Sequence, residues 1–169
     1  MPAHPSLLQR ILIGKNPKRT LVRAVILVMV SFVVFGFILM PVRISGISME
    51  PTYHDHGFNF VNRLAFARAR PQRGDVVALR FSELRVRPIY MKRIIGLPEE
   101  RIEIRNGVVF IDDQPLDEPY VKEREPWNVP SRVLNSEEYF VIGDNRGMPS
   151  SGHYFGVKDS KQILGKVLW

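Results

Sequence analysis

A run of apolar residues near the N-terminus constrains this chain more than any other feature. The run extends from Ala24 to Met40 (AVILVMVSFVVFGFILM), and Ser31 is its only clearly polar residue. With its flanking residues, from position 21 to 42, it is long enough to cross the roughly 30 Å hydrocarbon core of a bilayer as a helix. A buried core helix is a poor alternative because the segment is apolar on every face. The sequence therefore predicts one N-terminal transmembrane helix.

The end of this run distinguishes an uncleaved anchor from a cleaved signal peptide. A signal peptide has a shorter apolar region, which is followed by small residues of the Ala-x-Ala type. Here the run ends in MPVRIS, in which no such site occurs. We therefore expect the helix to remain as an anchor.

Basic residues are concentrated on the N-terminal side of the predicted anchor. Six Lys or Arg residues and no acidic residue precede position 44, whereas the remainder carries 18 basic and 17 acidic residues. Four of the six crowd the N-terminal flank of the run, and only Arg43 lies close on its other side; the four are Lys15, Lys18, Arg19 and Arg23. Because the more basic flank stays in the cytoplasm, we expect a cytoplasmic N-terminus at 1–20, an anchor at 21–42, and a domain at 43–169 outside the plasma (inner) membrane. The expected partner is a lipid bilayer, crossed once. A nucleic-acid-binding domain would carry a basic excess in its folded part, so nucleic acid is not expected as a partner.

Beyond the anchor, the sequence predicts short strands separated by turns. The predicted strands are Phe58–Asn62, Asp75–Phe81, Ile89–Ile95, Arg101–Arg105, Val108–Ile111, Tyr139–Ile142 and Ile163–Leu168. Asn106-Gly107 is a strong hairpin signal, Leu64–Arg73 is expected to be irregular, and the proline-rich segment Pro115–Pro130 is expected to be a loop. These patterns favour a mainly β fold, an antiparallel sandwich or barrel-like domain preceded by the transmembrane helix.

Ser48 lies in the first of three clusters whose residues could carry chemistry. A nucleophilic serine needs an exposed hydroxyl on a fixed turn, with backbone N–H groups nearby to bind an oxyanion. In the sequence GISMEPT, Gly46 allows close approach of the backbone, and Pro51 restrains the chain beyond the serine. Ser, Gly and Pro are also common in ordinary turns. The residues alone therefore favour a structural turn over a nucleophile.

Lys92 lies in the second cluster, YMKRI, within a predicted strand. Strand alternation puts Tyr90, Lys92 and Ile94 on one face, and Met91 and Arg93 on the other. A lysine acts as a general base only if its pKa falls several units from about 10.4, and burial among apolar groups brings this about. Most lysines in strands are solvated instead, which is the simpler interpretation of these residues alone.

The third cluster is the turn Gly143-Asp144-Asn145-Arg146, which follows the strand predicted at Tyr139–Ile142. Ser150 and Ser151 come just after it. An acid, an amide and a guanidinium in one turn can orient a neighbouring catalytic group through hydrogen bonds. They can equally form a tight structural turn, and the residues alone leave both interpretations open.

Together and in this order, the three clusters resemble the type I signal peptidases, Ser/Lys proteases that remove signal peptides from exported proteins. Ser48-Met49-Glu50-Pro51-Thr52 resembles the Ser-Met-x-Pro-Thr nucleophile box of that family. Arg73 to Val77 resembles the Arg-Gly-Asp-[Ile/Val]-Val strand of the family. Tyr90 to Pro98 resembles its Lys box, and Gly143 to Arg146 resembles its C-terminal box. The similarity extends from the anchor to near the C-terminus.

This resemblance implies a membrane-bound serine endopeptidase that needs no cofactor or metal. Ser48 would attack the scissile carbonyl, and Lys92 would take its proton. The residues implied around this pair by matching position are Gly46, Met49, Pro51, Asp144, Asn145 and Arg146. The implied substrates are signal-peptide-bearing preproteins, bound in extended form with small residues at the first and third positions before the cut. The implied fold is an antiparallel β domain on the membrane.

The chain departs from the family pattern near the nucleophile. Gly46 stands two positions before Ser48, where some members have a serine whose hydroxyl joins the oxyanion hole. Other members have glycine at this position. We therefore expect the backbone N–H of Ser48 to carry more of the oxyanion stabilisation.

The larger departure follows the C-terminal box. The family pattern Gly-Asp-Asn-Arg-x-x-Ser-x-Asp-Ser-Arg continues here as GMPSSGH, so that Pro149 replaces the serine that usually orients the lysine, and Ser151 replaces an aspartate. We expect Ser150 or Ser151 to hydrogen-bond Lys92 instead. The alternative that His153 replaces or assists the lysine is disfavoured, because Lys92 lies in a well-matched box and unassigned histidines usually have structural roles.

Three other classes of protein remain as alternatives. A self-cleaving repressor protease of the LexA type pairs Ser with Lys but would carry a DNA-binding domain instead of an anchor. A catalytically silent or narrowly specialised membrane-tethered β module is favoured only by the altered region after Arg146. A metal-dependent hydrolase is disfavoured because His54 and His56 lack clear further ligands.

Overall fold

The computed structural model describes residues 16–80 and 89–168, and the statements below concern these residues. It divides the chain into two compact units, Met1–Leu39 and Met40–Trp169. Most of the predicted cytoplasmic segment, 1–20, lies outside the described residues, as does Phe81 at the end of one predicted strand.

The described part of the first unit is mainly helical. The helix α1 spans Pro17–Val33, and the side chain of Asn16 caps it by accepting a hydrogen bond from the backbone N–H of Arg19 at 3.4 Å. A π-helical turn, Val34–Ile38, continues it. Within the described residues, the segment Pro17–Ile38 is long and apolar enough to cross a membrane, and none of it is buried.

The helical segment differs from the predicted anchor at both ends. It begins at Pro17, before position 21, because a proline at the first helical position needs no N–H partner. Residues 39–42 lie in a strand, β1 (Leu39–Arg43), and not in the helix. Pro41 explains the change, since it has no N–H to donate to a preceding helical turn.

The second unit is built from strands. After β1, they are β2 (Phe58–Asn62), β3 (Val76–Arg80), β4 (Ile89–Gly96), β5 (Arg101–Arg105), β6 (Val108–Ile111), β7 (Gln114–Pro115), β8 (Val129–Val133), β9 (Glu138–Ile142), β10 (Gly156–Asp159) and β11 (Ile163–Val167). Every predicted strand is present within one residue of its expected bounds. The sequence did not predict β1, β7, β8 or β10, and β8 begins inside the segment expected to be a loop.

The strands form two sheets, which confirms the predicted antiparallel β fold. The larger sheet has seven strands in the order β1-β2-β11-β3-β4-β9-β10, and the smaller has four in the order β7-β6-β5-β8. The ladders that join β2, β11, β3, β4, β9 and β10 are all antiparallel. Asn106 and Gly107 both have positive φ angles, 48° and 79°, so they form the predicted tight turn between β5 and β6.

The strand β4 lies in the middle of the larger sheet, between β3 and β9. Its residues from Lys92 to Gly96 are all buried. Because Lys92 is only 1% exposed on this strand, its charged side chain is withdrawn from water. The sheet thus provides the desolvated position that a catalytic lysine requires.

Candidate active site

Ser48 lies in the loop that connects β1 and β2. The loop is closed at its base, where the backbone N–H of Ile44 donates to the carbonyl of Gly57 at 2.8 Å. Gly46 has a φ angle of 104°, a conformation that favours glycine. Its N–H donates to the Asp55 carboxylate at 2.8 Å, which fixes the chain just before the serine.

Asn145 holds the same loop from the other side. Its backbone N–H donates to the carbonyl of Ser48 at 3.1 Å, and its side-chain amide donates to the carbonyl of Ile47 at 3.1 Å. The turn after β9 therefore fixes the two peptide groups that flank the Cα of Ser48, the first of which contains the Ser48 N–H. The sequence predicted that this turn supports the site, but not by which contacts.

Lys92 reaches Ser48 from β4. It pairs with Val77 across the ladder, its side chain is 1% exposed, and its Nζ lies 2.6 Å from the Ser48 Oγ. Burial lowers the pKa of Lys92 to about 8, while the negative charge of Asp144 partly opposes that shift. Because the lysine has lost most of its hydration, a substantial fraction of it is neutral just above neutral pH and can accept a proton.

Asp144 is the centre of a buried ionic group beside this pair. Both of its carboxylate oxygens accept from Arg93, at 2.8 and 2.6 Å, and the Thr52 hydroxyl donates to it at 2.5 Å. The Arg93 guanidinium also donates to the carbonyl of Gly74 at 2.8 Å. A bidentate, fully hydrogen-bonded pair of this kind is held rigidly. It links the nucleophile loop through Thr52 to the strand that carries Lys92.

Arg146 forms a second buried ion pair in the same region. Its side chain hydrogen-bonds to Glu118, whose carboxylate also accepts from the Tyr120 hydroxyl at 3.0 Å. The Arg146 Nε donates to the carbonyl of Gly143 at 2.8 Å. Glu118 and Tyr120 belong to the segment that the sequence predicted as a loop, where no residue pattern indicated a buried acid.

His153 is buried beside the same turn. Its Nε2 accepts a hydrogen bond from the backbone N–H of Gly143 at 3.0 Å. Burial and the nearby charges of Lys92 and Arg146 lower the pKa of His153 to about 3. An imidazole whose acceptor nitrogen already binds a backbone amide is not available as a base for Ser48.

Ser150 and Ser151 lie in an exposed 3₁₀ turn, Ser150–Gly152. Within the described parts of the chain, the hydrogen bond of the Lys92 side chain is to Ser48, and neither of these hydroxyls reaches Lys92. The structure therefore gives no support to the expectation that one of them orients the lysine. Pro149, immediately before the turn, has an extended backbone conformation, with φ −56° and ψ 137°.

A cleft of about 470 Å³ opens beside the nucleophile. Its apolar lining includes Met49, Val61, Ala78, Met91 and Val167. Met49 is itself buried, as expected for a residue between the nucleophile and the core, whereas Pro51 is exposed. An apolar cleft of this size next to a serine hydroxyl can hold short, apolar segments of a peptide.

The backbone N–H of Ser48 is available to a ligand. In residues 16–80 and 89–168 it donates to no other group, whereas the N–H of Gly46 is occupied by Asp55. In the same residues, no group of three or more His, Cys, Asp or Glu side chains is placed to hold a metal ion.

A serine hydroxyl within hydrogen-bond reach of a buried lysine, beside an apolar cleft, is the arrangement of a Ser/Lys hydrolase. The family model described as signal peptidase, peptidase S26, matches residues 18–169. Signal peptidase IB of Staphylococcus aureus strain Mu50 is 30% identical, over 89% of this chain and 88% of that protein. A probable signal peptidase I-1 of Synechocystis is 31% identical, over 79% of this chain and 71% of that protein.

Among solved structures, a signal peptidase I from Enterococcus faecalis V583 matches with 27% sequence identity and a TM-score of 0.47, covering 59% of this chain and 97% of that one. The family match and the relatives above suffice for the assignment. The chain belongs to the signal peptidase family, peptidase S26, and is a serine endopeptidase with a membrane-anchoring N-terminal helix.

Proposed function

We propose that this protein removes signal peptides from exported preproteins, with Ser48 as nucleophile and Lys92 as general base. The observation that carries the proposal is the 2.6 Å contact between the Lys92 Nζ and the Ser48 Oγ. The names of the relatives and the family add the class of substrate. A catalytically silent module would have no need to keep a desolvated lysine against a serine hydroxyl.

The reaction begins with neutral Lys92. Its amine accepts the proton of the Ser48 hydroxyl as Oγ attacks the carbonyl carbon of the scissile peptide bond, which gives a tetrahedral intermediate with a negative oxygen. The unoccupied N–H of Ser48 is the donor that can stabilise this oxyanion. The Lys92 ammonium then gives its proton to the leaving amine, the C–N bond breaks, and the acyl group remains on Ser48.

Water completes the cycle. Lys92 is neutral again after it protonates the leaving amine, so it can accept a proton from a water molecule that attacks the acyl carbon. The second tetrahedral intermediate collapses, Lys92 returns the proton to the Ser48 oxygen, and the signal peptide leaves with a new carboxylate. No cofactor or metal is required, since every proton moves through the one amine.

The residues around the pair have positioning roles in this account. Gly46 shapes the loop before the nucleophile, and Asn145 holds the carbonyls of residues 47 and 48. Asp144 pairs with Arg93 and moderates the pKa of Lys92. Met49 lines the apolar cleft beside the nucleophile, where the residues before the cut would bind.

The proposed location follows from the sequence before position 44. We assign the N-terminal flank to the cytoplasm, the helical segment Pro17–Ile38 to a single crossing of the plasma (inner) membrane, and the β domain that follows to the extracytoplasmic side. The excess of basic residues on the N-terminal flank supports this orientation. Signal peptides emerge on that side, where the nucleophile would meet them.

Cleavage of a preprotein with an Ala-x-Ala site by the full chain in detergent tests the proposal. Wild type is expected to cut at that site alone, and both Ser48→Ala and Lys92→Ala are expected to lose at least about 10³-fold in kcat/KM. Ser136→Ala and Lys161→Ala, which change exposed residues of the same types, are the matched controls and should retain activity. A folded wild type that leaves a panel of such preproteins intact would refute the proposal.

A further inference from the structure

The imidazole of His153 lies on the far side of the turn that holds the nucleophile. It is 5% exposed, and its Nε2 accepts the backbone N–H of Gly143 at 3.0 Å. A Cβ atom added to Gly143 would overlap both the carbonyl oxygen of Ser48 and the imidazole of His153. Gly143 is thus packed directly between the ring and the peptide group of the nucleophile.

The Gly143 peptide groups are fixed by side chains on both sides. His153 binds the N–H, and the Arg146 Nε binds the carbonyl at 2.8 Å. Two residues later in the same turn, the N–H of Asn145 donates to the carbonyl of Ser48 at 3.1 Å. A displacement of Gly143 therefore moves the donor that sets the position of the nucleophile.

Two aromatic rings keep the imidazole in place. Trp127 meets it edge to face at 5.1 Å between ring centroids, and Phe155 does so at 6.1 Å. Trp127 and Phe155 stack on each other at 5.2 Å. These contacts pack the ring of His153 from two sides while its Nε2 faces Gly143.

We propose that His153 is a positioning residue for the Ser48–Lys92 pair. Its neutral imidazole holds the Gly143 turn, and the turn holds the backbone of Ser48 in reach of the lysine. The inference rests on the proposed function of that pair but assigns His153 no part in proton transfer.

The charge state of the ring supports this role. An acceptor Nε2 requires the tautomer with its proton on Nδ1. Burial, Lys92 and Arg146 lower the pKa of His153 to about 3, so the ring is neutral wherever the enzyme works. The nearby backbone of Asn145 opposes this shift and raises the pKa slightly. The Nδ1 of His153 nevertheless makes no hydrogen bond to any described residue. A neutral acceptor fixes the turn without placing another positive charge beside Lys92.

The first test compares two substitutions in the full-length enzyme. His153→Leu keeps an apolar side chain but removes the acceptor, whereas His153→Gln can present its amide oxygen to Gly143. We expect His153→Leu to lower kcat about 10- to 100-fold, as a misplaced nucleophile does, with KM changed less than about threefold because His153 does not line the cleft. His153→Gln should recover most of that loss. His54→Gln, at an exposed histidine, is the control.

Three results from folded variants would overturn the proposal. They are unchanged kcat in His153→Leu, an effect confined to KM, and equal losses in the Leu and Gln variants. Thermal unfolding of each variant in the same detergent establishes that it is folded. If wild type cleaves the preprotein and the His153 variants cleave it equally well, only this inference is refuted. If wild type itself is inactive, the proposed function is refuted.

A second measurement needs no active or stable variant. Nitrogen NMR of wild type labelled at its histidines, of which there are four, reports the tautomer of each ring. We expect one histidine with Nδ1 protonated and Nε2 accepting, without titration between about pH 5 and 9. If instead all four rings titrate near about 6.5, the ordinary value for histidine, the proposed hydrogen bond does not exist and the inference fails.

Discussion

The Nζ of Lys92 lies 2.6 Å from the Oγ of Ser48, although 44 positions separate the two residues in the sequence. The serine is on a loop and the lysine is on a central strand, so different parts of the fold set their distance. The loop is held by Asn145, and the strand is held between its neighbours. The distance between Nζ and Oγ therefore depends on the turn that contains Asn145, which holds the loop in place.

The buried ion pair of Asp144 and Arg93 is expected to be essential for stability. The two side chains are 0% and 7% exposed, so Asp144→Asn leaves the Arg93 charge buried without its counter-ion. We predict a loss of about 3–5 kcal/mol in the free energy of unfolding, measured by chemical denaturation in detergent.

The matched control is Asp113→Asn, which removes the acidic partner of Arg101 at a site where the two side chains are 57% and 44% exposed. Exposed pairs contribute about 0–1 kcal/mol, so this variant should unfold almost as wild type does. Equal effects of the two substitutions would show that the buried pair has no special role.

Gly143 is expected to tolerate no side chain. In Gly143→Ala, the new Cβ would overlap backbone and imidazole atoms, and the strain should cost about 1–3 kcal/mol in stability. Because the overlap displaces the carbonyl of Ser48, we also predict a loss of about 100-fold or more in kcat/KM.

Gly152→Ala provides the comparison for that substitution. No atom lies within 4 Å of a Cβ added at Gly152, so the same chemical change meets open space. We expect wild-type stability and activity. Substantial activity in Gly143→Ala would mean that the turn is not packed against the nucleophile as described.

Desolvated Lys92 is expected to weaken the folded state. Its pKa falls from 10.5 to about 8 on folding, so the folded protein binds this proton less tightly than the unfolded chain does. The free energy of unfolding is therefore lowered by at most about 3 kcal/mol. This loss is fully present below pH 8 and disappears as the pH rises towards 10.5.

Lys92→Met should therefore stabilise the inactive enzyme. We predict a gain of about 1–3 kcal/mol at pH 7, which shrinks as the pH rises from about 8 to above 10. Thermal unfolding across this range is the measurement, and Lys161→Met, at an exposed lysine, should change stability by less than about 0.5 kcal/mol. A destabilised Lys92→Met at pH 7 would contradict the desolvation account.

The strands that the sequence predicted have clear local signals, and those it missed do not. The hairpin turn at Asn106-Gly107 was found because both residues favour positive φ angles. In contrast, β8 is mostly exposed and contains Pro130, so it shows neither alternation nor a run of apolar residues. The residues of β1 were assigned to the anchor because they continue its apolar composition.

In the candidate site, too, the sequence identified only the residues that have a local signal. Ser48 and Lys92 were identified from the motifs that contain them, and the structure brings them together. The partners of the third cluster could not be read from the sequence, because Thr52 meets Asp144 across 92 positions and Glu118 meets Arg146 from a segment without a pattern. Only the folded chain shows that His153 accepts a hydrogen bond from the N–H of Gly143 in this turn.

The pH dependence of kcat/KM tests most directly the central claim that neutral Lys92 takes the proton of Ser48. With a peptide substrate that has no titrating group in the range, kcat/KM should rise about tenfold per pH unit at low pH and level off above a midpoint of about 8. A profile that is flat from about pH 6 to 10, or one whose midpoint lies near the ordinary pKa of lysine, about 10.4, would contradict the account.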